Sequence, residues 1–223
     1  MRNSTYGART GRDRRTSVRC AGGRYRADGA SEARYEPGSN RRVLKNLLGI
    51  RSVREMDRVE QHRLLQVTDW AVDAFPNNHR FSCEDLRLLH RKWLGDIYPW
   101  AGEYRQVNVS KGGFMFAAAA QVPRLMAEFE AEHLVKPCDD KLLALAQAHT
   151  ELLLIHPFRE GNGRLSRLFA TLMALQAGLP EPTFELLVRR HRAQYFAAVR
   201  AGLDRNYEPM RRLFALVIND GEG

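Results

Sequence analysis

The sequence predicts a mainly α-helical domain, on three observations. Apolar residues recur at spacings of three and four along most of the chain beyond residue 56. Caps and breakers such as Phe75-Pro76-Asn77-Asn78, Ser82 and Gly95 punctuate that pattern. One stretch, residues 102–116, changes to a loose alternation around a Gly-Gly pair, the mark of a short β-hairpin.

The elements follow in order. Met56, Val59, Val67, Trp70, Ala71 and Ala74 predict a helix that stops at Phe75-Pro76. Ser82 is the N-cap of the next, with Asp85 in the place that completes a capping box. Leu86, Leu89, Trp93 and Leu94 form its apolar face, and Gly95 ends it. Tyr104, Val107 and Val109 then alternate, Lys111-Gly112-Gly113 turns the chain, and Phe114-Met115-Phe116 returns it. Residues 121–135 and 139–155 are again helical, the second with Leu142, Leu145, Ala146, His149, Leu152 and Leu153 on a broad apolar face. Residues 165–177, 184–201 and 207–218 predict three further helices. No internal repeat is visible.

Composition narrows the function classes. The chain has 223 residues and is 44% hydrophobic, enough for a core that needs no disulfide or structural metal. No apolar run approaches the ~20 residues of a membrane span. Cys20, Cys83 and Cys138 are widely separated and form no CxxC pair, so a reducing cytoplasm is the expected home. The N-terminus lacks the apolar segment of a secretory signal. Residues 1–26 hold eight arginines against Asp13, a net +7 that leaves +2 of the chain's +9 for the rest. Residues 1–40 are poor in Leu, Ile and Phe and are expected to be a disordered basic tail, with the folded domain over 41–223. Such a tail could touch nucleic acid or an acidic surface, but a solvated tail is the simpler reading. Its Arg-rich, acid-poor start also resembles an organellar transit peptide, with nothing else in support.

One segment carries chemistry: His156-Pro157-Phe158-Arg159-Glu160-Gly161-Asn162-Gly163-Arg164, continuing Leu165-Ser166-Arg167. Pro157 ends the preceding apolar helix and biases His156 away from helical angles. Gly161-Asn162-Gly163 permits positive φ and close backbone approach. Successive amides at a new helix N-terminus form an anion site. Arg164 and Arg167, three apart, share a helical face and can reach the same phosphates. Glu160 beside that site could hold a Mg²⁺ that binds them. His156, with an ordinary pKa near ~6.5, suits the removal of a hydroxyl proton. Base, carboxylate, anion nest and arginines within twelve residues make a set for phosphoryl or nucleotidyl transfer.

These residues resemble the Fic family signature, HPFx[D/E]GNGR, at every specified position, and Arg167 extends it to the longer GNGRxxR form. Asn46-Leu47-Leu48-Gly49-Ile50, Gly95 to Glu103 and Ser110-Lys111-Gly112-Gly113 are similar to other stretches of that family, so the resemblance covers roughly residues 44–218. It implies a Fic-type helical bundle with a β-hairpin flap near the active-site loop. It also implies a protein adenylyltransferase moving AMP from ATP onto a Ser, Thr or Tyr hydroxyl. His156 would deprotonate that hydroxyl, and Glu160 would hold Mg²⁺ on the α- and β-phosphates. The amides of Gly161 to Gly163 and the Asn162 side chain would cradle the developing charge. Arg164 would engage the β-phosphate side and Arg167 the γ-phosphate. Phe158 would anchor the loop in the core. Lys111 and Gly112 are candidates for the nucleotide side of the flap, which would clamp an extended segment of the target by strand addition.

Many members carry an inhibitory [S/T]xxxE[G/N] helix whose Glu pairs with the second signature arginine. The only Glu-Gly or Glu-Asn pairs here begin at Glu160 and Glu222, preceded four places earlier by His156 and Ile218. The resemblance is therefore to the toxin class, in which a separate small antitoxin supplies the glutamate, and type II topoisomerases are candidate targets. Delivery into a host or neighbouring cell is an alternative place of action. Members that act as kinases depart from the signature's glycine–arginine part, which is intact here. Another nucleotide or phosphate donor stays open, as does a nucleic-acid role for the tail.

Overall fold

A computed structural model of the chain describes residues 26–27, 31–136 and 138–219. Eight α-helices and one small antiparallel sheet form the described fold. Helix α1, Val53–Ala74, starts at Ser52, whose side chain accepts from the Glu55 amide. Helix α2, Cys83–Leu94, starts with the expected capping box of Ser82 and Asp85 and stops at Gly95. Such a cap stabilises by about 0.5–2 kcal/mol. Helix α3, Val122–Phe129, runs on into a π-helical turn, Glu130–Val135. Helices α4, Lys141–Ile155, and α5, Asn162–Gln176, form a central pair. Helix α4 is buried on most of its circumference, from Leu145 to Ile155, because α3, α5, α7 and α8 surround it.

Helices α6, Phe184–Arg189, α7, Arg192–Ala201, and α8, Glu208–Asn219, close the far side over α4. The single helix expected over 184–201 is in fact two. The amides of Arg190 and His191 both bond to the Leu186 carbonyl, which ends α6 and redirects the chain into α7. No Gly or Pro marks that break, and the burial of Leu187, Tyr195 and Ala198 in one apolar cluster accounts for it.

The hairpin forms at the expected place. Strands β2, Val109–Lys111, and β3, Phe114–Met115, pair Lys111 with Phe114 around the two-residue loop Gly112-Gly113. Both glycines have positive φ, +57° and +83°, as the tight hairpin turn requires. Residues 102–108, expected to begin the strand, instead form bends and irregular backbone.

Residues before position 40 also make contacts with the fold. Strand β1, Arg26–Ala27, adds to the β2 edge, pairing Arg26 with Ser110 and Ala27 with Val109. Residues 31–40 pack onto the domain through a Tyr35–Leu44 bridge and buried Glu32 and Ser39. Composition misses this because the contacts are polar. The side chain of Glu32 accepts from the Gln106 amide at 2.6 Å, and its carbonyl accepts from Arg159 Nε at 3.1 Å. The rest of the expected tail, residues 1–25 and 28–30, lies outside the described residues.

Candidate active site

The segment from His156 to Arg167 joins α4 to α5. His156 caps α4 in the left-handed region, φ 54° and ψ 59°, which Pro157 helps impose by excluding a further helical turn. Phe158 is fully buried, as the resemblance implies, and stacks on His90 at 4.0 Å between ring centroids. His90 accepts the Gly102 amide on Nδ1 at 2.8 Å, so its Nε2 carries the proton and donates to the Glu160 carbonyl at 3.1 Å. The loop between the central helices thus rests on α2.

Gly161 has φ +83°, and a Cβ there would come within 2.6 Å of Trp93, so no other residue fits. At Gly163 the nearest atom to an added Cβ is Arg167 Nη1, at 3.7 Å. Gly163 is therefore not required by the fold, and its small size leaves the approach to Arg167 open. The amides of Asn162 and Gly163 are among the first of α5, which helix geometry leaves without an intrahelical acceptor.

His156 Nδ1 lies 3.0 Å from the Leu153 carbonyl, so Nδ1 carries the proton and Nε2 the lone pair. The Phe116 ring of the flap stacks on it at 3.7 Å. Burial pushes the His156 pKa down to about 3, with Arg105 and Lys111 adding to the effect against the Leu153 hydrogen bond. The ordinary value expected from sequence is thus corrected: in this closed site the ring is neutral. His90 and His149 are likewise pushed down to about 3 by burial. Their folded values lie below the unfolded ~6.5. The stability each contributes is complete above pH ~6.5 and is lost as pH falls toward 3. Each should cost about 1.4 kcal/mol per pH unit across that window. Urea unfolding at pH 7, 6 and 5 should show steeply falling stability; a flat profile would contradict the buried neutral rings.

A cleft of about 690 Å³ opens between the flap and α7, and Lys111, Gly112, Phe116, His156, Gly163 and Arg167 line it. Of the expected site residues, Lys111, Gly112, His156, Gly163 and Arg167 therefore meet in one place. Helices α6 and α7 add Val188, Arg192, Tyr195, Phe196, Val199 and Arg200, which the sequence reading did not single out. With four cations on an otherwise apolar wall, the cleft suits a polyanion attached to a flat apolar group.

Two signature side chains are engaged within the fold. The Asn162 side chain accepts from the Phe158 amide at 2.9 Å and donates to the Phe158 carbonyl at 2.7 Å. The side chain thus closes the loop. Arg164 bonds Glu60 of α1 at 2.7 Å, lies over the Trp93 ring at 4.6 Å, and is 3.6 Å from Glu160. Glu60 is buried and also accepts from the Tyr98 hydroxyl at 2.8 Å. Arg164 is thus placed beside Glu160 and does not line the cleft that Arg167 lines.

Arg105 was not anticipated. It is fully buried, and its guanidinium donates to the carbonyls of His156 at 2.7 Å, Val107 at 2.7 Å, Ile155 at 3.2 Å and Ala117. One side chain therefore ties the flap to the end of α4. Glu32 faces it from the N-terminal segment and opposes the burial that pulls its pKa down to about 10.

Glu160 is buried, and its Oε1 accepts from the Gly161 amide at 2.9 Å. Among the described residues no group of three or more His, Cys, Asp or Glu could hold a metal. A single carboxylate nevertheless fits Mg²⁺, which takes one or two carboxylates and completes its shell with phosphates and water.

A Fic/DOC family profile matches residues 80–174. Over 149 residues the chain is 34% identical to the probable protein adenylyltransferase y4lH of Sinorhizobium fredii, covering 64% of this chain and 74% of that protein. The chain belongs to the Fic/DOC family. It is also 29% identical over 157 residues to the protein adenylyltransferase VbhT of Bartonella schoenbuchensis, 68% of this chain. It spans 32% of the length of VbhT and 28% of the protein adenylyltransferase Fic of Culex quinquefasciatus. Among solved structures, the BepC effector of Bartonella tribocorum with bound AMPPNP superposes with a TM-score of 0.64 at 22% identity, covering 78% of this chain and 91% of that one. The N-terminal Fic domain of an effector from Bartonella sp. AR 15-3 gives a TM-score of 0.68 at 21% identity, covering 84% and 92%. At these identities the likeness establishes the Fic fold: a helical bundle with a hairpin flap over the signature loop.

Proposed function

We propose that this Fic protein is a protein adenylyltransferase. The observation that carries the reading is the meeting of His156, the first amides of α5 and Arg167 in one cationic cleft under the flap. Relatives named as protein adenylyltransferases support it. ATP would lie with its phosphates on the α5 N-terminus and Arg167, and with its base against Val188, Phe196 and Val199. His156 Nε2 would take the proton of a Ser, Thr or Tyr hydroxyl on the target. The hydroxyl oxygen would form a bond to the α-phosphorus as the bond to pyrophosphate breaks. Phosphate charge beside the ring raises its proton affinity from the low value of the closed site, which helps it accept that proton. Glu160, placed by Arg164 and the Gly161 amide, would hold Mg²⁺, which when bound neutralises phosphate charge.

The target segment would pair with the flap. Strand β1 already occupies the β2 edge, so among the described residues the edge that no strand covers is that of β3. No inhibitory motif is recognisable in the chain, and Glu60 engages Arg164, not Arg167. A separate small antitoxin presenting a carboxylate to Arg167 is therefore the expected partner, with a type II topoisomerase as a candidate target. Among the described residues no helix is long and apolar enough to cross a membrane, and the cytoplasm of the producing or a recipient cell is the proposed place of action.

The test is label transfer by the purified chain in a cell lysate. Label from α-labelled ATP should appear on protein and label from γ-labelled ATP should not. Excess EDTA should stop the transfer, and co-expressing a small protein encoded beside this one should suppress it. Transfer of the γ label would instead make the chain a kinase.

A further inference from the structure

Arg167 reaches the cleft from α5, but a long cation at a cleft wall is held in place only by its neighbours. One neighbour is the Tyr195 hydroxyl of α7, which lines the same cleft as Arg167 and lies near enough to feel its charge. Behind Tyr195 stands His149 of α4, with Nε2 2.7 Å from that hydroxyl. Behind His149 stands the Ser166 carbonyl of α5, 3.1 Å from Nδ1.

Proton positions along this line are determined. A carbonyl only accepts, so His149 Nδ1 must donate to Ser166 and Nε2 must accept. The Tyr195 hydroxyl therefore donates to Nε2, and its oxygen keeps lone pairs for a donor in the cleft, such as Arg167, which has only donors. His149 and Tyr195 are buried, so an unmatched partner would cost each of them strongly. Every group in the line has one workable orientation.

We propose that Tyr195, fixed by His149 and the Ser166 carbonyl, is the positioning residue that accepts a hydrogen bond from Arg167 and so aims it at the terminal phosphate of the nucleotide. The line begins and ends on α5, one residue apart, and crosses α4 and α7 between. It thus makes the direction of Arg167 a property of three packed helices. Helix α7 is present to do this only because the chain breaks after α6. The proposal rests on the adenylyltransferase reading, since it needs a nucleoside triphosphate in the cleft.

The test separates terminal phosphates from the rest of the nucleotide. Titration calorimetry of the full chain with Mg-ATP and with AMP should show that Tyr195→Phe weakens ATP about tenfold, the effect of losing a hydrogen bond to a charged group. AMP, which has no terminal phosphates, should bind as before. In an Arg167→Ala background Tyr195→Phe should add nothing further, because it acts through that arginine. Equal weakening of ATP and AMP, or an unchanged ATP affinity, would overturn the proposal. A further loss on top of Arg167→Ala would overturn it too. A wild-type chain that binds AMP but no triphosphate better would overturn the functional reading, and this role with it. Nitrogen NMR of the unaltered chain covers a variant that fails to fold. His149 should appear as the Nδ1–H tautomer, and its Nε2 signal should move on adding ATP and not AMP. A stationary signal would count against the relay.

Discussion

Replacing His156 with alanine is expected to abolish transfer while leaving ATP affinity within a few-fold. The ring has no assigned bond to the nucleotide. Its Nδ1 is committed to Leu153, and its Nε2 lone pair is the only basic atom it offers. Loss of a positioned base costs ~10²–10⁴-fold in rate. The variant should fold, because His156 Nδ1 makes a local bond at a helix end and Phe158 and Asn162 hold the loop independently. Single-turnover label transfer and calorimetry with Mg-ATP on the same preparation check both halves. Wild-type labelling by His156→Ala would remove the base from the mechanism. Loss of ATP affinity in step with rate would make the residue a binding group instead.

What the sequence disclosed and withheld follows from how each residue works. His156 to Arg167 act as neighbours in the chain, so motif and helix-terminus physics find them together. The hairpin was legible because Gly112-Gly113 has few other uses between alternating residues. Ser82 and Asp85 were legible because a capping box is local. Tyr195 was not, since its role depends on a break after α6 that no Gly or Pro announces. Glu32 and Arg105 carried no signal in the sequence because charge suggests water, yet they face each other inside the fold from 73 positions apart. Glu60 left a signal that could have been used. It falls on the buried stripe of α1 with Met56, Val67 and Ala71, where an acid needs a partner such as Arg164. The loop-closing bonds of the Asn162 side chain were not legible because a motif records residue types and not their orientation.

Arg105→Ala should do more damage to the molecule than any change in the signature. The guanidinium is fully buried and saturates the carbonyls of Ile155, His156, Val107 and Ala117. Removing it leaves those buried acceptors unsatisfied and Glu32 without the cation it faces. Each orphaned group costs about 1–3 kcal/mol, so a loss of at least ~3 kcal/mol in stability is expected. Function should fall as well, by a different route. Arg105 binds the carbonyl of the base itself and both ends of the flap, so its loss frees His156 and Phe116 to shift relative to α5. A displacement of ~1 Å at a reacting group can cost ~10²-fold. Arg105→Lys should rescue neither effect, because one ammonium cannot reach four carbonyls that a planar fork spans. Urea unfolding and label transfer, measured on both variants beside His156→Ala, separate the cases. His156→Ala should lose rate and keep its midpoint, whereas both Arg105 variants should lose rate and midpoint together. A stable Arg105→Ala with normal transfer would show that the flap is held to the signature loop by other contacts.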